Sequence, residues 1–352
     1  MSGPTAAAST GRAAFEQVPV IDVGALAGSD LAARRAVAAR IGRACADVGF
    51  LYVRDHGVDE EAIAALLAET AALFALPLDT KMRYYIGRSA NHRGYVPVGE
   101  EVLAYGLGRD EPAADSKEGF DLALDLPADD PDHRAGNPLL GPNVWPVEVP
   151  GLRAAATRYY DQVLALGRRL MRAMALALDL AEDHFDRFIT KPVSQLRLLH
   201  YPTGAAPGDG GLGIGAHTDY ECFTILLPTA PGLQVMNSAG RWIDAPPLPG
   251  CFVINIGDML EAWTNGRFVA TPHRVLRSAH ERYAFPLFFA VDYDTVVAPL
   301  PGCVAPGTPP RYPPIPAGQH LFAQTARTFR YLRERVERGE LSIIDRHEFG
   351  RL

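Results

Sequence analysis

Two imidazoles and a carboxylate supply the clearest chemistry in this chain. His217 and Asp219 flank Thr218, and His273 follows about fifty-five residues later. Neutral imidazole nitrogens and one carboxylate oxygen suit Fe(II), and three ligands on one face leave the remaining coordination positions open. Sets of thiolates would point instead to zinc or an iron–sulfur cluster. The four cysteines, Cys45, Cys222, Cys251 and Cys303, lie far apart and form no CxxC pair. Arg282 stands nine residues beyond His273 and offers a cation to an acidic co-substrate beside the metal. The residue types together point to an oxygen-activating iron enzyme.

The elements must bring these side chains together. On a strand, residues two apart point to the same face, so His217 and Asp219 can reach one metal. His273 must then come from a strand remote in sequence and adjacent in space. An isolated HxD is common by chance, and its surroundings give it weight. Gly213-Ile214-Gly215-Ala216 suits a strand entering a confined site, and Thr271-Pro272-His273-Arg274-Val275-Leu276 reads as a strand carrying one polar residue to a core.

The order of elements is helical first and β-rich later. Ser29 and Asp30 suit the cap of a helix running to about residue 46, and Asp59 suits the cap of a second that ends before Pro77. Residues 152–180 form the longest helical pattern, with Leu152, Tyr159, Val163, Leu166, Leu170 and Met174 near helical spacing. Residues 95–145 are rich in Gly, Pro and Asp, show no clear period and read as a long loop. Short strand-like runs follow at 196–201, 223–227, 233–236, 252–256 and 284–291, separated by Pro/Gly turns. That punctuation suggests a sandwich or jelly roll. A C-terminal helix is expected over residues 317–338.

The chain resembles the isopenicillin N synthase-like family of Fe(II)/2-oxoglutarate-dependent oxygenases. The resemblance runs through Val18-Pro19-Val20-Ile21-Asp22, Val48-Gly49-Phe50-Leu51-Tyr52-Val53, Asp55-His56-Gly57-Val58, and Phe74, Leu76-Pro77 and Lys81. It continues in family order through the HxD motif, Pro231-Gly232-Leu233-Gln234-Val235, Asn255-Ile256-Gly257-Asp258, Thr264-Asn265-Gly266 and His273-Arg274-Val275. It implies an α+β fold, a double-stranded β-helix (jelly-roll) core flanked by helices. The expected organisation is a loose tail (1–17), an N-terminal α/β region (18–150) and the oxygenase core with its C-terminal helix (151–352).

The same resemblance implies the chemistry. His217, Asp219 and His273 hold Fe(II), and Arg282 fixes the far carboxylate of 2-oxoglutarate, with Tyr201 as a second contact. O2 is consumed, succinate and CO2 are released, and a C–H bond of a small molecule is oxidised. Hydroxylation, desaturation, cyclisation or epoxidation all remain open. Arg93 stands where a relative holds a substrate carboxylate, and Phe288 is placed to line the substrate pocket. Asn255 and Asp258 are expected in a turn near the metal, and the other eight histidines read as structural or surface residues.

One departure from the family stands beside Arg282. The usual Arg-x-Ser reads Arg282-Tyr283-Ala284 here. Loss of the serine removes one charge-assisted hydrogen bond to the co-substrate, worth roughly 1.5–3 kcal/mol at most. The change keeps open an oxidase of the isopenicillin N synthase type that uses no 2-oxoglutarate, and ethylene formation from 2-oxoglutarate. A jelly-roll protein that binds a ligand without catalysis is the alternative of another class.

Composition narrows the partners. The chain of 352 residues carries a net charge of −7, so it offers no global basic field to nucleic acid. No apolar run is long enough to span a membrane. The first seventeen residues lack the apolar stretch of a secretory signal, and scattered thiols fit a reducing cytoplasm. A small-molecule substrate is the expected partner.

Overall fold

The computed structural model describes residues 13–101, 117–202, 212–277 and 280–344. The strands of its two larger sheets are, in chain order, β1 (Val20–Asp22), β2 (Phe50–Arg54), β3 (Gly94–Val96), β4 (Glu118–Ala123), β5 (Gln195–Tyr201) and β6 (Leu212–His217). They continue as β7 (Phe223–Pro228), β8 (Leu233–Met236), β9 (Trp242–Asp244), β10 (Cys251–Ile256), β11 (His273–Leu276) and β12 (Arg282–Phe289). The larger sheet has eight strands in the order β1-β2-β10-β7-β12-β5-β4-β3, and the smaller has four in the order β6-β11-β8-β9. Only the β1–β2 pair is parallel among these ladders. Strands from the first 150 residues therefore flank the strands of the second half within one sheet.

Period-two alternation assigns the two faces of the larger sheet. On β12, Phe285, Leu287 and Phe289 are fully buried in the main core. That core includes helix Leu152–Ala177, whose Leu152, Tyr159, Val163, Leu166, Leu170 and Met174 are all fully buried. The helical spacing read from the sequence is thus the stripe that covers the sheet. The opposite face meets the smaller sheet in a second core. Leu199, Tyr201, Val253 and Ala284 approach from one side, and Ile214, Leu233, Val235 and Val275 from the other. The metal-ligand candidates lie at the end of this sandwich.

Several elements differ from the expectation. Helix Leu31–Asp47 is capped as expected, the Asp30 side chain accepting from the Ala32 amide at 2.8 Å. Asp59 precedes helix Glu60–Phe74, but its carboxylate accepts from Arg158 and Gln162 and not from the helix end. The stretch read as loop at 95–145 contains β4, a central strand buried along its whole length, while residues 102–116 lie outside the described residues. The expected C-terminal helix is two helices, Ala317–Thr328 and Arg330–Glu337. They break at Phe329, which is extended and forms a β-bridge with Glu101. The Glu100 carbonyl and carboxylate then accept from the Arg330 and Tyr331 amides at 2.9 Å each. The four thiols are free, with Cys45 and Cys222 buried and Cys251 and Cys303 half-buried. No single helix among the described residues is long and apolar enough to cross a membrane.

Gly49 ties the N-terminal region to the strand that carries His273. Its φ is +73°, and a Cβ there would lie 2.3 Å from both Thr271 Oγ1 and the Val269 carbonyl. Thr271 Oγ1 in turn donates to the Val48 carbonyl at 2.7 Å. Gly49→Ala should cost more than ~1 kcal/mol, since it meets a left-handed backbone and a steric block together. A lowered urea midpoint is expected; an unchanged midpoint would contradict this account of the junction.

Candidate metal centre and co-substrate pocket

His217 ends β6, Asp219 lies two residues beyond it, and His273 opens β11, which pairs with β6 so that His273 stands opposite His217. The sheet register therefore supplies the proximity that sequence separation conceals. Oδ1 of Asp219 lies 3.5 Å from Nε2 of each histidine, and the three ligand atoms fall within 4.8 Å of one another.

The other atoms of the three side chains are already engaged. His217 Nδ1 lies 2.8 Å from the Gly215 carbonyl, and His273 Nδ1 lies 3.3 Å from the Thr271 carbonyl. A proton on each Nδ1 leaves Nε2 with its lone pair toward the common point, the tautomer a metal needs. Oδ2 of Asp219 accepts from the Asn255 amide at 2.6 Å and from the Thr224 hydroxyl. Burial works to raise the Asp219 pKa, but His273 and His217 hold it well below the usual carboxylate range. A carboxylate and two imidazoles whose Nε2 atoms face one point fit Fe(II).

The turn behind the ligands is tightly built. The Asp258 amide donates to the Asp219 carbonyl at 2.8 Å, and a Cβ on Gly257 would lie 2.2 Å from the Glu221 carbonyl oxygen. Burial pushes Glu221 up to about 8 and Asp258 up to about 7, the latter partly offset by a hydrogen bond from Thr218. Asn255 and Asp258 thus stand where a turn near the metal was expected, and Asn255 goes further by holding the ligand itself.

A cavity of about 550 Å³, part of it open to solvent, adjoins the three ligands. Its walls are largely apolar: Leu199, Ile214, Leu226, Leu233, Val275, Ala284, Pro286 and Phe288 all contribute. Arg282 lies in this wall, 1% exposed, opposite Tyr201 in the β12–β5 ladder. Its guanidinium carbon stands 4.5 Å from the Tyr201 ring centroid, and its Nε donates to the Ala230 carbonyl at 3.2 Å. Nη1 is buried with no hydrogen-bond partner among the described residues. A buried guanidinium with an unmatched donor is a fitted receptor for a carboxylate. Ala284 lines the cavity two residues further along the same face.

The structure separates the two residues expected to meet substrate. Phe288 lines the cavity. Arg93 does not: its guanidinium donates to the carbonyls of Asn91, His92 and Leu139 at 2.6–2.9 Å. The arginine instead braces the chain just before β3. Two cavity cations escaped the sequence reading, Lys117 and Arg197. Arg197 sits four residues before Tyr201 on β5, an even spacing that places both on one face.

The comparisons with known proteins agree with this geometry. Residues 18–148 match the family model described as non-haem dioxygenase in morphine synthesis N-terminal, and residues 192–291 match the 2OG-Fe(II) oxygenase superfamily model. A 2-oxoglutarate-Fe(II) type oxidoreductase (hxnY) of Emericella nidulans is 34% identical over 305 residues, covering 84% of this chain and 86% of the relative. A Caulobacter crescentus crystal structure assigned to the 2OG-Fe(II) oxygenase family superposes with a TM-score of 0.76 at 32% identity, covering 89% of this chain and 99% of the other. A full-length Neurospora crassa protein, crystallised with alpha-KG and thymine, gives a TM-score of 0.77 at 27% identity, covering 88% of this chain and 96% of the other. With this jelly-roll core and these ligand types, the chain belongs to the 2OG-Fe(II) oxygenase superfamily and is a dioxygenase dependent on Fe(II), 2-oxoglutarate and O2.

Proposed function

We propose that His217, Asp219 and His273 hold the iron, that Arg282 receives the distal carboxylate of 2-oxoglutarate, and that the cavity beside them positions a C–H bond of a small molecule for oxidation. The observation that carries this reading is the convergence of three ligand atoms whose neighbouring polar atoms are all engaged, beside a buried arginine that is not fully engaged. Hydroxylation, desaturation and ring closure share this apparatus, and the shape of the substrate in the cavity selects among them.

Bound Fe(II), with 2-oxoglutarate and O2, supplies the oxidising power that no side chain has, and succinate and CO2 are the co-substrate's products. The chain's own residues do the rest. The Gly215 and Thr271 carbonyls fix the imidazole tautomers, and Asn255 and Thr224 fix the carboxylate so that one oxygen faces the metal. Arg282, packed on the Tyr201 ring, orients a dicarboxylate by its far end. The apolar walls exclude water, which strengthens the charge pairing within. Ala284 removes the hydroxyl that usually assists Arg282, and the Tyr201 hydroxyl on the facing strand is the group nearest in role.

Removing a metal ligand gives the first test. Asp219→Ala or His217→Ala should lose iron and substrate-coupled succinate release while keeping the circular dichroism of the parent. Full turnover with unchanged iron content would sink the assignment. Arg282→Leu should weaken 2-oxoglutarate binding by more than about tenfold, since breaking a buried charge pair costs roughly 2–5 kcal/mol. Anaerobic titration of the Fe(II) protein, followed by metal-to-ligand absorption, measures it; an unchanged dissociation constant would make Arg282 purely structural. Ala284→Ser should tighten the same binding a few-fold, bounded by roughly 1.5–3 kcal/mol and eroded by the cost of burying a hydroxyl. Weaker binding with unaltered products would show that the space has been given to another group.

A further inference from the structure

The strand that carries Arg282 is held at its open end by a histidine on the opposite face of the sheet. Among the described residues the β12–β5 ladder begins at Arg282, opposite Tyr201, and the β12–β7 ladder begins at Ala284. Arg282 therefore stands at a strand end, and its place depends on what fixes that end. On the β7 side Thr229 does so: its Oγ1 accepts from the Tyr283 amide at 2.9 Å, and its amide donates to the Tyr283 carbonyl at 3.1 Å. On the β5 side the fixing group is His200. It precedes Tyr201 and pairs with Tyr283 in the ladder, so it points away from the cavity while Tyr201 points into it.

His200 is buried between two rings and engaged at both nitrogens. Phe74 and Tyr283 stack on it with centroids 5.2 and 5.0 Å away. Nδ1 lies 2.8 Å from Glu118 Oε1, and Nε2 lies 2.9 Å from Glu281 Oε1. The two acids differ in setting. Glu118, on β4, is buried, and its other oxygen accepts from Lys81 Nζ at 2.7 Å and from the Tyr95 hydroxyl at 2.5 Å. Burial works to raise the Glu118 pKa, but hydrogen bonds from His200, Lys81 and Tyr95 hold it below its ordinary value. Glu281 immediately precedes Arg282, is 56% exposed at its side chain and also accepts from the Tyr283 hydroxyl at 3.1 Å. Burial raises the pKa of both Tyr95 and Tyr283, so both phenols stay neutral. The charged groups around His200 among the described residues are thus Glu118, Glu281 and Lys81.

Donor count decides what this arrangement needs. Each contact to a carboxylate requires an N–H, and only the imidazolium form has two. A neutral imidazole turns one lone pair toward an acid and must release that acid. Glu118 is buried and clasped by Lys81 and Tyr95, so Glu281, half in water, is the one released. The sign follows. The tie from β4 through His200 to Glu281 is closed while the imidazole carries both protons, and it opens as pH rises.

We infer that His200 is a positioning residue for the co-substrate anchor: its imidazolium ties Glu281 to Glu118 and thereby fixes Arg282 where the distal carboxylate of 2-oxoglutarate is received. This rests on the role of Arg282 proposed above. It makes 2-oxoglutarate affinity depend on the protonation of a side chain that lies on the far face of the sheet from the cavity.

Substitution at Glu281 tests this, because an exposed side chain can be changed without disturbing the core. The 2-oxoglutarate dissociation constant of the anaerobic, iron-saturated protein is measured at about pH 6 and about pH 8, across the range in which a histidine titrates. Glu281→Gln keeps the tie at both values, since an amide can accept from the imidazolium or donate to the neutral ring. The ratio of the constants at high and low pH should therefore be about threefold larger in the parent than in Glu281→Gln, the scale of a half-exposed ion pair. Glu281→Ala has no tie at either pH. It should bind about threefold more weakly than the parent at the lower pH and show the same pH ratio as Glu281→Gln. Titration of the metal-ligand histidines is common to all three proteins and cancels in these comparisons. Equal pH ratios in the parent and Glu281→Gln, or parental affinity of Glu281→Ala at the lower pH, would overturn the proposal. Arg282→Leu at the lower pH separates the two levels. An unchanged constant there defeats the anchor itself, whereas a weakened constant with equal pH ratios in the other three proteins defeats only the role of His200.

Discussion

A buried carboxylate must have both oxygens matched, and most of this molecule is arranged to do that for Asp219. One oxygen is taken by Asn255 from β10 and Thr224 from β7, which leaves the other facing the two imidazoles. Those donors come from the larger sheet, while His217 and His273 come from the smaller one. The site therefore exists only when the two sheets are stacked in register. The turn between β6 and β7 is locked in the same way, since the Glu221 carbonyl occupies the space a side chain on residue 257 would need. The geometry of the His217, Asp219 and His273 cluster and the stacking of the sheets are coupled because they share these hydrogen bonds.

The division of each strand into two faces lets one sheet serve both stability and chemistry. β12 illustrates this. Its Phe285, Leu287 and Phe289 are buried against the helical layer, whereas Arg282, Ala284, Pro286 and Phe288 face the cavity. A shift of one residue would exchange the sets and place an arginine in the helical core. The apolar residues of one face thus fix the side of the sheet on which Arg282 stands.

The ligand set was legible because its signal is local: residue type, a two-residue spacing, and motifs in order. The strands around it were legible because Pro/Gly turns bound them. β4 was not, and its composition explains why. Glu118 and Asp121 are buried and paired, Glu118 with Lys81 and His200 and Asp121 with Arg197, so a central strand carries charges where a pattern reading expects apolar residues. Phe329 was invisible for another reason: it interrupts a helical sequence because Glu100 and Glu101, far away in the chain, claim its backbone and its neighbours'. Arg93 was expected at substrate because it stands where a relative holds a substrate carboxylate, yet main-chain carbonyls take both of its terminal nitrogens. Partners such as these are set by tertiary packing and leave no periodic trace.

The two arginines of the cavity show how a fold can bury a guanidinium without leaving it mobile. Each is fixed by part of its fork: Arg282 by the Ala230 carbonyl and the Tyr201 ring, Arg197 by Asp121, Glu101 and the Phe329 ring 5.5 Å away. Each keeps one nitrogen unmatched among the described residues. The rotamer entropy is lost in folding, so it is not lost again when a ligand binds. Their supports differ in kind. Arg282 is held by uncharged groups, the Ala230 carbonyl and the Tyr201 ring. Arg197 is held by two acids, Asp121 and Glu101. The break at Phe329 gains a purpose here, because an uninterrupted helix would not place that ring on Arg197.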